Sequence, residues 1–445
     1  MPSTRKKQRV AVLADSDTRW KWGSLTASRL IEDRRQDVRL DGYLLRGRAT
    51  PTPRQLAEVG VRADTLREVT AVEFLRLMQG EERDGEEPYD LIVLALVGGA
   101  VQALLHGLAH SWRDREQRPV VATGYVGVVY EKLADGLLLR HGADLVLANS
   151  RQDAERFRAV YEGVGADAGS VVECALPFLG GEPYKKKDRH EKNDPYTVVF
   201  AAQPSVPESR KDRAYLLDRM VAHARRHPER EVLIKLRSKP GEHTTHIEEL
   251  PYQKLAQKVP GGLPANCRLV YGHMGEVLDR TDLLVTVSST AALESLHRRI
   301  PTAVLTDLGV REALGNHHFV GSGCLASWDQ LDEGHVPEPD ETWLARQGVE
   351  VDGAYDAARA RVAELAALDR MPPLDPYYTP VTAPGYQPGV LARHHLGPDG
   401  APLPGAPVAA KEPGPVRQVV RQAARGAYRH GVQRVAPVIR RMGEL

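Results

Sequence analysis

Short apolar runs recur along this chain, and each is followed by a stretch with the spacing of an amphipathic helix. Residues 9–14, 90–96, 120–123, 144–148 and 171–176 are such runs, and their polar and apolar positions do not alternate. A strand with one wet face alternates; a run without alternation is buried on both faces, as in a parallel sheet covered by helices. Residues 24–35, 100–111 and 151–162 supply helical patterns between the runs. The first part of the chain therefore predicts a doubly wound α/β domain.

The pattern breaks at Gly180-Gly181-Glu182-Pro183 and the charged run 185–192, then restarts. Runs at 196–202, 231–236, 268–271, 282–287 and 302–306 predict strands, and 208–227 and 290–299 predict helices. A chain of 445 residues exceeds what one hydrophobic core usually organises, so two domains are expected. The expected division is a Rossmann-like domain over 1–182, a linker over 183–195 and a second Rossmann-like domain over 196–335. A helical closing segment over 336–370 follows, in which 354–368 packs back on the first domain. Residues 371–415 hold twelve prolines and six glycines and are expected to be an extended or disordered linker.

The net charge of +1 makes the whole chain no polyanion binder, and no nucleic-acid partner is expected. Cys174, Cys267 and Cys324 have no disulfide or zinc spacing, which fits a reducing cytoplasm. The longest apolar stretch, 91–105, is broken by Gly98-Gly99 and is shorter than the roughly 20 residues of a membrane span. No signal-peptide pattern follows the basic start. Residues 416–445 predict a basic amphipathic helix, with Arg417, Arg421, Arg425 and Arg429 on one face. Such a helix suits the anionic inner face of a plasma membrane; a solvated arginine face with the apolar stripe on the protein itself is the alternative.

In the second domain, the strand 282–287 runs directly into Ser288-Ser289-Thr290 and a helix. Open α/β sheets bind ligands at the carboxyl ends of their strands. A helix start offers unpaired N–H groups and positive partial charge, so three added hydroxyls suit a diphosphate there. Glu294, one turn deeper, is placed to accept from ribose hydroxyls. The competing interpretation is a plain N-cap with Glu294 on an exposed face. The strand 231–236 leads to Lys235, Arg237 and Lys239, whose alternation would project three cations together beside the phosphates, or form a solvated basic turn. His273, in Tyr271-Gly272-His273-Met274-Gly275, is a weaker candidate for contact with a planar base.

In the first domain, the first strand ends in Ala14-Asp15-Ser16-Asp17-Thr18-Arg19-Trp20-Lys21-Trp22-Gly23. Two carboxylates, two cations and two indoles in one strand-end loop suit a sugar: indoles stack on pyranose faces and charged groups orient hydroxyls. Asp15 or Asp17 is the candidate general base; Arg19, Lys21 and Trp22 are candidate acceptor contacts. The competing interpretation is a helix N-cap and solvated turn. Gly98, Gly99, Gly124 and Glu131 are further candidates here, and Arg140 is expected at the surface.

Asp15-x-Asp17 also approaches the haloacid-dehalogenase phosphatase signature, but Thr18 comes one residue early and no late pair of aspartates completes a magnesium site. Gly321-x-Gly323 follows no first strand, so it is no dinucleotide fingerprint. His317-His318 lacks a metal-ligand partner at useful spacing, and there is neither a P-loop nor a nucleophile elbow.

The phrases I-K-L-R and D-L-L-V-T-V-S-S-T-A-A-L-E-S-L…R-I-P resemble the C-terminal half of glycosyltransferases built from two Rossmann-like domains facing a cleft, the GT-B fold. Among these they resemble CDP-glycerol glycerophosphotransferases and capsular polysialyltransferases. From A-D-S-D-T-R-W-K-W-G through A-S-W-D-Q-L, about residues 8–335, the chain resembles an actinobacterial family of glycosyltransferase-like proteins with no assigned activity. The teichoic-acid enzymes carry His-Pro after the lysine strand and Asp-Tyr before the serines; Leu236-Arg237 and Thr286-Val287 stand here, which argues against glycerophosphate transfer. The resemblance implies transfer of a sugar from a nucleotide-activated donor, as co-substrate, to a cell-surface glycan or metabolite. Neither a metal nor a cofactor is expected, because a helix dipole and cations can neutralise the leaving group. A nucleotide-sugar 2-epimerase of the same fold, a phosphatase and a non-catalytic scaffold are the alternatives.

Overall fold

The computed structural model describes residues 8–31, 38–47, 49–80, 87–128, 132–186, 195–239, 242 and 250–406. The described chain divides into two compact units, one up to Phe178 and again from Ala345 onward, the other Leu179–Leu344.

The first unit begins with β1 (Gln8–Ala14), α1 (Asp17–Leu30), β2 (Val38–Leu45), α2 (Pro53–Val59), β3 (Thr65–Val69) and α3 (Ala71–Gln79). It continues with β4 (Leu91–Ala95), α4 (Gly98–Ser111), β5 (Val120–Gly124), α5 (Leu133–Leu138), β6 (Leu145–Ala148), α6 (Arg151–Gly163) and β7 (Val171–Glu173). Its strands are parallel and ordered β3-β2-β1-β4-β5-β6-β7. Successive side chains leave opposite faces. Ala11 and Leu13 of β1 thus join Ile92 and Leu94 of β4 in one core, under α3, α4 and α6. Val10, Val12 and Ala14 join Leu91, Val93 and Ala95 in the other, under α1. Each large side chain fully buried this way contributes about 1.5–3 kcal/mol.

In the second unit come β8 (Thr197–Ala201), α7 (Arg210–Arg226), β9 (Glu231–Lys235), α8 (Tyr252–Ala256), β10 (Cys267–Val270) and α9 (Met274–Leu278). Then follow β11 (Leu283–Thr286), α10 (Ala291–His297), β12 (Thr302–Leu305), β13 (Leu325–Ala326), α11 (Trp328–Asp332) and α12 (Glu341–Arg346). This sheet is also parallel, in the order β10-β9-β8-β11-β12-β13. Val198 and Phe200 of β8 pack with α7, while Val199 and Ala201 pack with α9 and α10. Both units are therefore doubly wound α/β folds, as the run-and-helix alternation predicts. In each, the winding direction reverses once, between β1 and β4 and between β8 and β11. Such reversals open a crevice at the carboxyl ends of the two strands.

The chain then returns to the first unit through α13 (Asp356–Ala366), whose Ala358 and Leu365 are buried in the same core as Val10 and Val12. The proline- and glycine-rich stretch differs from expectation. Residues 371–406 pack on the first unit, form α14 (Gln387–Ala392), and bury Leu374, Val390, Leu391 and Leu396 in the core that contains α4. Proline spacing forbids long regular elements but not close packing, because backbone groups find partners elsewhere: the Tyr378 carbonyl accepts from His106 Nε2 at 2.8 Å.

The expected linker 183–195 is also partly packed. Tyr184 N–H donates to the Arg298 carbonyl and its hydroxyl to Asp282, within the second unit. Residues 187–194, Glu131 and the basic segment 416–445 lie outside the described residues. All three cysteines are buried and free, and burial pushes the Cys267 and Cys324 thiols up to about 11. Among the described residues, no helix is long and apolar enough to cross a membrane.

Candidate functional site

The carboxyl edge of the second sheet gathers the candidate donor residues. Parallel register puts the turns after β10, β9, β8 and β11 side by side on it, carrying His273, Lys235 with Arg237, Gln203, and Ser288–Thr290 in that order. Strands two places apart lie about 10 Å from each other, so Lys235 and Ser289 flank the turn of β8 on one edge.

Lys235 ends β9, is buried to 7% exposure, and donates from Nζ to the Leu236 carbonyl at 2.8 Å. Arg237 is half-buried and Lys239 is exposed, with its ammonium 5.7 Å from the centre of the Tyr271 ring. The three cations thus leave the strand end graded in burial, because β9 stops at Lys235. His273 is half-buried and caps the start of α9 after Gly272, whose φ of 104° lies in the region that favours glycine.

The hydroxyl triplet is used unequally. Ser288 is buried; its hydroxyl donates to the Leu314 carbonyl at 2.6 Å, and its N–H donates to Gln203 Oε1 at 3.0 Å. Gln203, absent from the sequence-level candidates, follows β8 and stitches the two sides of the reversal point together. Ser289 N–H donates to Thr286 Oγ1, and the N–H of Ala291 donates to Ser289 Oγ. The start of α10 is therefore not the row of unpaired donors expected of a helix start. Thr290 is its N-cap residue without a side-chain cap bond, and both Ser289 and Thr290 are half-buried. Glu294 is buried to 8% exposure rather than on an exposed face.

In the first unit, α1 begins at Asp17, so most of the expected loop is helix, with Ser16 as its N-cap. Trp20 and Trp22 are 1% exposed and belong to the core, so neither indole offers a sugar a face. A Cβ on Gly23 would lie 2.7 Å from Ala95 Cβ, which shows how closely α1 approaches the sheet and why the indoles turn inward. Gly124 serves packing as well: a Cβ there would lie 2.8 Å from the Leu147 carbonyl and 2.9 Å from Trp22. On Gly98 it would lie 2.8 Å from Leu139, whereas on Gly99 the nearest atom is Val390 Cγ1 at 3.5 Å. Lys21 is half-buried over the Phe178 ring at 4.8 Å.

Asp15 sits at the reversal point itself. Its Oδ1 accepts from Arg19 at 2.9 Å and its Oδ2 from the Val97 N–H at 2.9 Å, across from β1 to the start of α4. Asp17, in the first turn of α1, accepts from the Thr18 hydroxyl at 3.3 Å. Arg140 is buried, not at the surface. Its guanidinium donates to the carbonyls of Gly124, Gly136 and Leu96 and stacks 4.0 Å from the Tyr125 ring. It ties together the turns after β4 and β5, and burial lowers its pKa.

Residues 10–365 match the model of a family described as "Putative glycosyltransferase (DUF6716)". The chain belongs to that family. No match was found among curated proteins. Among solved structures, a UDP-glucosyltransferase from Polygonum tinctorium is 11% identical with a TM-score of 0.49, covering 82% of this chain and 99% of its own. UGT71G1 from Medicago truncatula, complexed with UDP-glucose, is 10% identical with a TM-score of 0.48, covering 82% and 99%. A UDP-GlcNAc 2-epimerase from Neisseria meningitidis is 9% identical with a TM-score of 0.44, covering 80% and 98%. The fold of this family member is defined by its strand order, not by these overlaps.

One group among its described residues has the makings of a metal site: His223, His227 and Asp332 place ligand atoms within 4.8 Å of one another. His223 and Asp332 are already engaged. His223 Nδ1 meets Asp332 Oδ1 at 2.5 Å, Arg219 holds the other Asp332 oxygen at 3.1 Å, and Arg230 donates to His223 Nε2 at 3.3 Å. Two guanidiniums beside the trio oppose a cation. It also lies at the C-terminal end of α7, away from the strand ends that carry the candidate residues.

Proposed function

We propose that this chain transfers a sugar from a nucleotide-activated donor to a hydroxyl of a cell-surface glycan or metabolite. The carrying observation is the placement of Lys235, Arg237 and the half-buried Ser289–Thr290 along one carboxyl edge of the second sheet, beside its reversal point. Membership of a family described as glycosyltransferases supports the same chemistry. In this reading the cations take up negative charge on the departing diphosphate as the glycosidic bond breaks, and they do so without a metal ion. His273 lies beside the base and Glu294 beside the ribose. Ser288 supports the turn from beneath. Asp15 and Asp17 belong to the acceptor side, with Arg19 orienting Asp15.

Calorimetry with UDP-, GDP-, CMP-, CDP- and TDP-sugars in the presence of EDTA tests the proposal. One of them is expected to bind. Lys235→Ala is expected to weaken that binding at least tenfold, about 1.4 kcal/mol, and Ser289→Ala by a smaller factor. Unaltered affinity in both variants, or no binding by any donor, overturns it.

A further inference from the structure

We propose that the turn over residues 379–386, at the tip of the proline- and glycine-rich segment of the first unit, is a docking surface for an anionic lipid bilayer. The proposal concerns what the first unit rests on and stands apart from the donor chemistry above.

Val381 is 89% exposed, the highest value for a large apolar side chain among the described residues. Pro380 and Pro384 are exposed beside it, and Tyr386 is 49% exposed. A lone exposed valine is ordinary; its setting here is not. Residues 376–392 include no Asp, Glu, Lys or Arg, so the tip carries no charge of its own to desolvate. The rings of Tyr377 and Tyr378 are 5.2 Å apart at their centres, and those of Tyr378 and Tyr386 are 5.5 Å apart. An apolar ring with a wet hydroxyl suits the level of lipid headgroups.

The backbone of the turn points the same way. The Val381 and Thr382 N–H groups donate to Thr379 Oγ1 at 3.2 and 3.1 Å, and the Thr379 N–H donates to Thr382 Oγ1 at 2.8 Å. The Ala383 N–H donates to the Thr379 carbonyl at 2.8 Å, and the Thr382 hydroxyl to the Tyr377 carbonyl at 3.0 Å. Pro380 and Pro384 have no N–H. Each backbone donor over 379–384 is thus spent or missing. A turn in water can leave its amides to the solvent; one that enters lipid must satisfy them itself. The tip is also braced, because His106 and Gln102 of α4 both donate to the Tyr378 carbonyl. A preformed wedge spends little binding energy on ordering.

Charge selects the lipid. Tyr386 precedes α14, whose six residues span about 9 Å, and the exposed Arg393 and His395 follow it. The chain then doubles back, with Leu396 paired to Pro402 and the Leu403 N–H donating to the His395 carbonyl at 2.9 Å. The sequence over 411–445 therefore departs from a point close to the tip, and it holds eight Lys/Arg against two Asp/Glu. One weak apolar anchor or one basic stretch binds a membrane only marginally, whereas the two together hold. An acidic protein would use the cations but not an uncharged tip with sealed amides.

The test floats the full chain with vesicles of phosphatidylcholine, alone or with phosphatidylglycerol. Wild type is expected to float only with the anionic vesicles. Val381→Asp is expected to weaken that binding about tenfold, with melting temperature and donor affinity unchanged, and Val381→Trp to strengthen it. A polarity-sensitive fluorophore on Val381→Cys is expected to shift to the blue on anionic vesicles, the native cysteines being buried. Wild type that fails to float, Val381→Asp that floats as wild type does, or an unshifted fluorophore overturns the surface. So does a concentration-dependent rise in mass without lipid that Val381→Asp abolishes, which assigns the tip to a second copy of the chain. Each of these results leaves the nucleotide-sugar calorimetry to be judged by itself.

Discussion

Asp144 holds Arg118 through two hydrogen bonds of 2.7 Å and accepts the Val121 N–H at 2.8 Å, with both side chains almost wholly buried. Arg118 reaches on to the Pro372 carbonyl, so one ion pair ties β5, β6 and the returning segment together. Asp144→Ala leaves a buried guanidinium without its counter-charge and is expected to cost about 3–5 kcal/mol, read from urea unfolding. Replacing both partners with apolar residues is expected to cost less than that single change. At this scale the sequence was a partial guide. Lys235, Ser289 and Asp15 sit at strand ends as their positions predict, since a strand followed by a polar turn fixes which end they occupy. Trp22 and Gly124 misled: an indole in a polar sequence neighbourhood can still point inward when its helix lies flat on a sheet, and helical phase alone does not say which side faces the sheet. Gln203 carried no local signal, since its partner Ser288 is 85 residues away.

Among elements, the turn from β11 into α10 is held from below. Ser288 lies between the Leu314 carbonyl and Gln203. Ser288→Ala is expected to destabilise the chain by about 1–2 kcal/mol through the unmade buried bonds, and to weaken donor affinity less than Lys235→Ala. Denaturant titration and calorimetry on the same sample separate the two effects. The central strands β1, β4, β5 and β6 were legible because burial on both faces demands unbroken apolar runs. β2 and β3 were not. Within β2, Asp41 is buried at 2% exposure yet bonded to Arg9, Tyr89 and Thr65, so a polar network interrupts the apolar pattern. β3 is an edge strand with mostly exposed side chains and reads as polar. The segment 371–406 was illegible for another reason: composition reports what a chain cannot form regularly, not what surface it covers.

For the molecule as a whole, stability depends on pH through groups such as Asp153. Burial pushes its carboxyl up to about 6, from an ordinary 3.8. A raised folded-state value means that the native state holds its proton where the unfolded chain has lost it. The stability this contributes is complete below the ordinary aspartate range and is lost as the pH climbs through about 6, on the order of 2–3 kcal/mol. Asp153→Asn is expected to flatten that slope between pH 4 and 6, seen in melting temperature against pH.

The first unit is discontinuous in sequence, with Leu179–Leu344 entering between its sheet and its last helices. On the ribosome, β1 through β7 emerge early yet must wait for α13 and Leu391 before their outer faces are covered. The inserted unit, complete within one stretch, can finish first. Nascent chains stalled just past residue 344 should therefore contain a finished second unit and a half-clad first one that attracts chaperones.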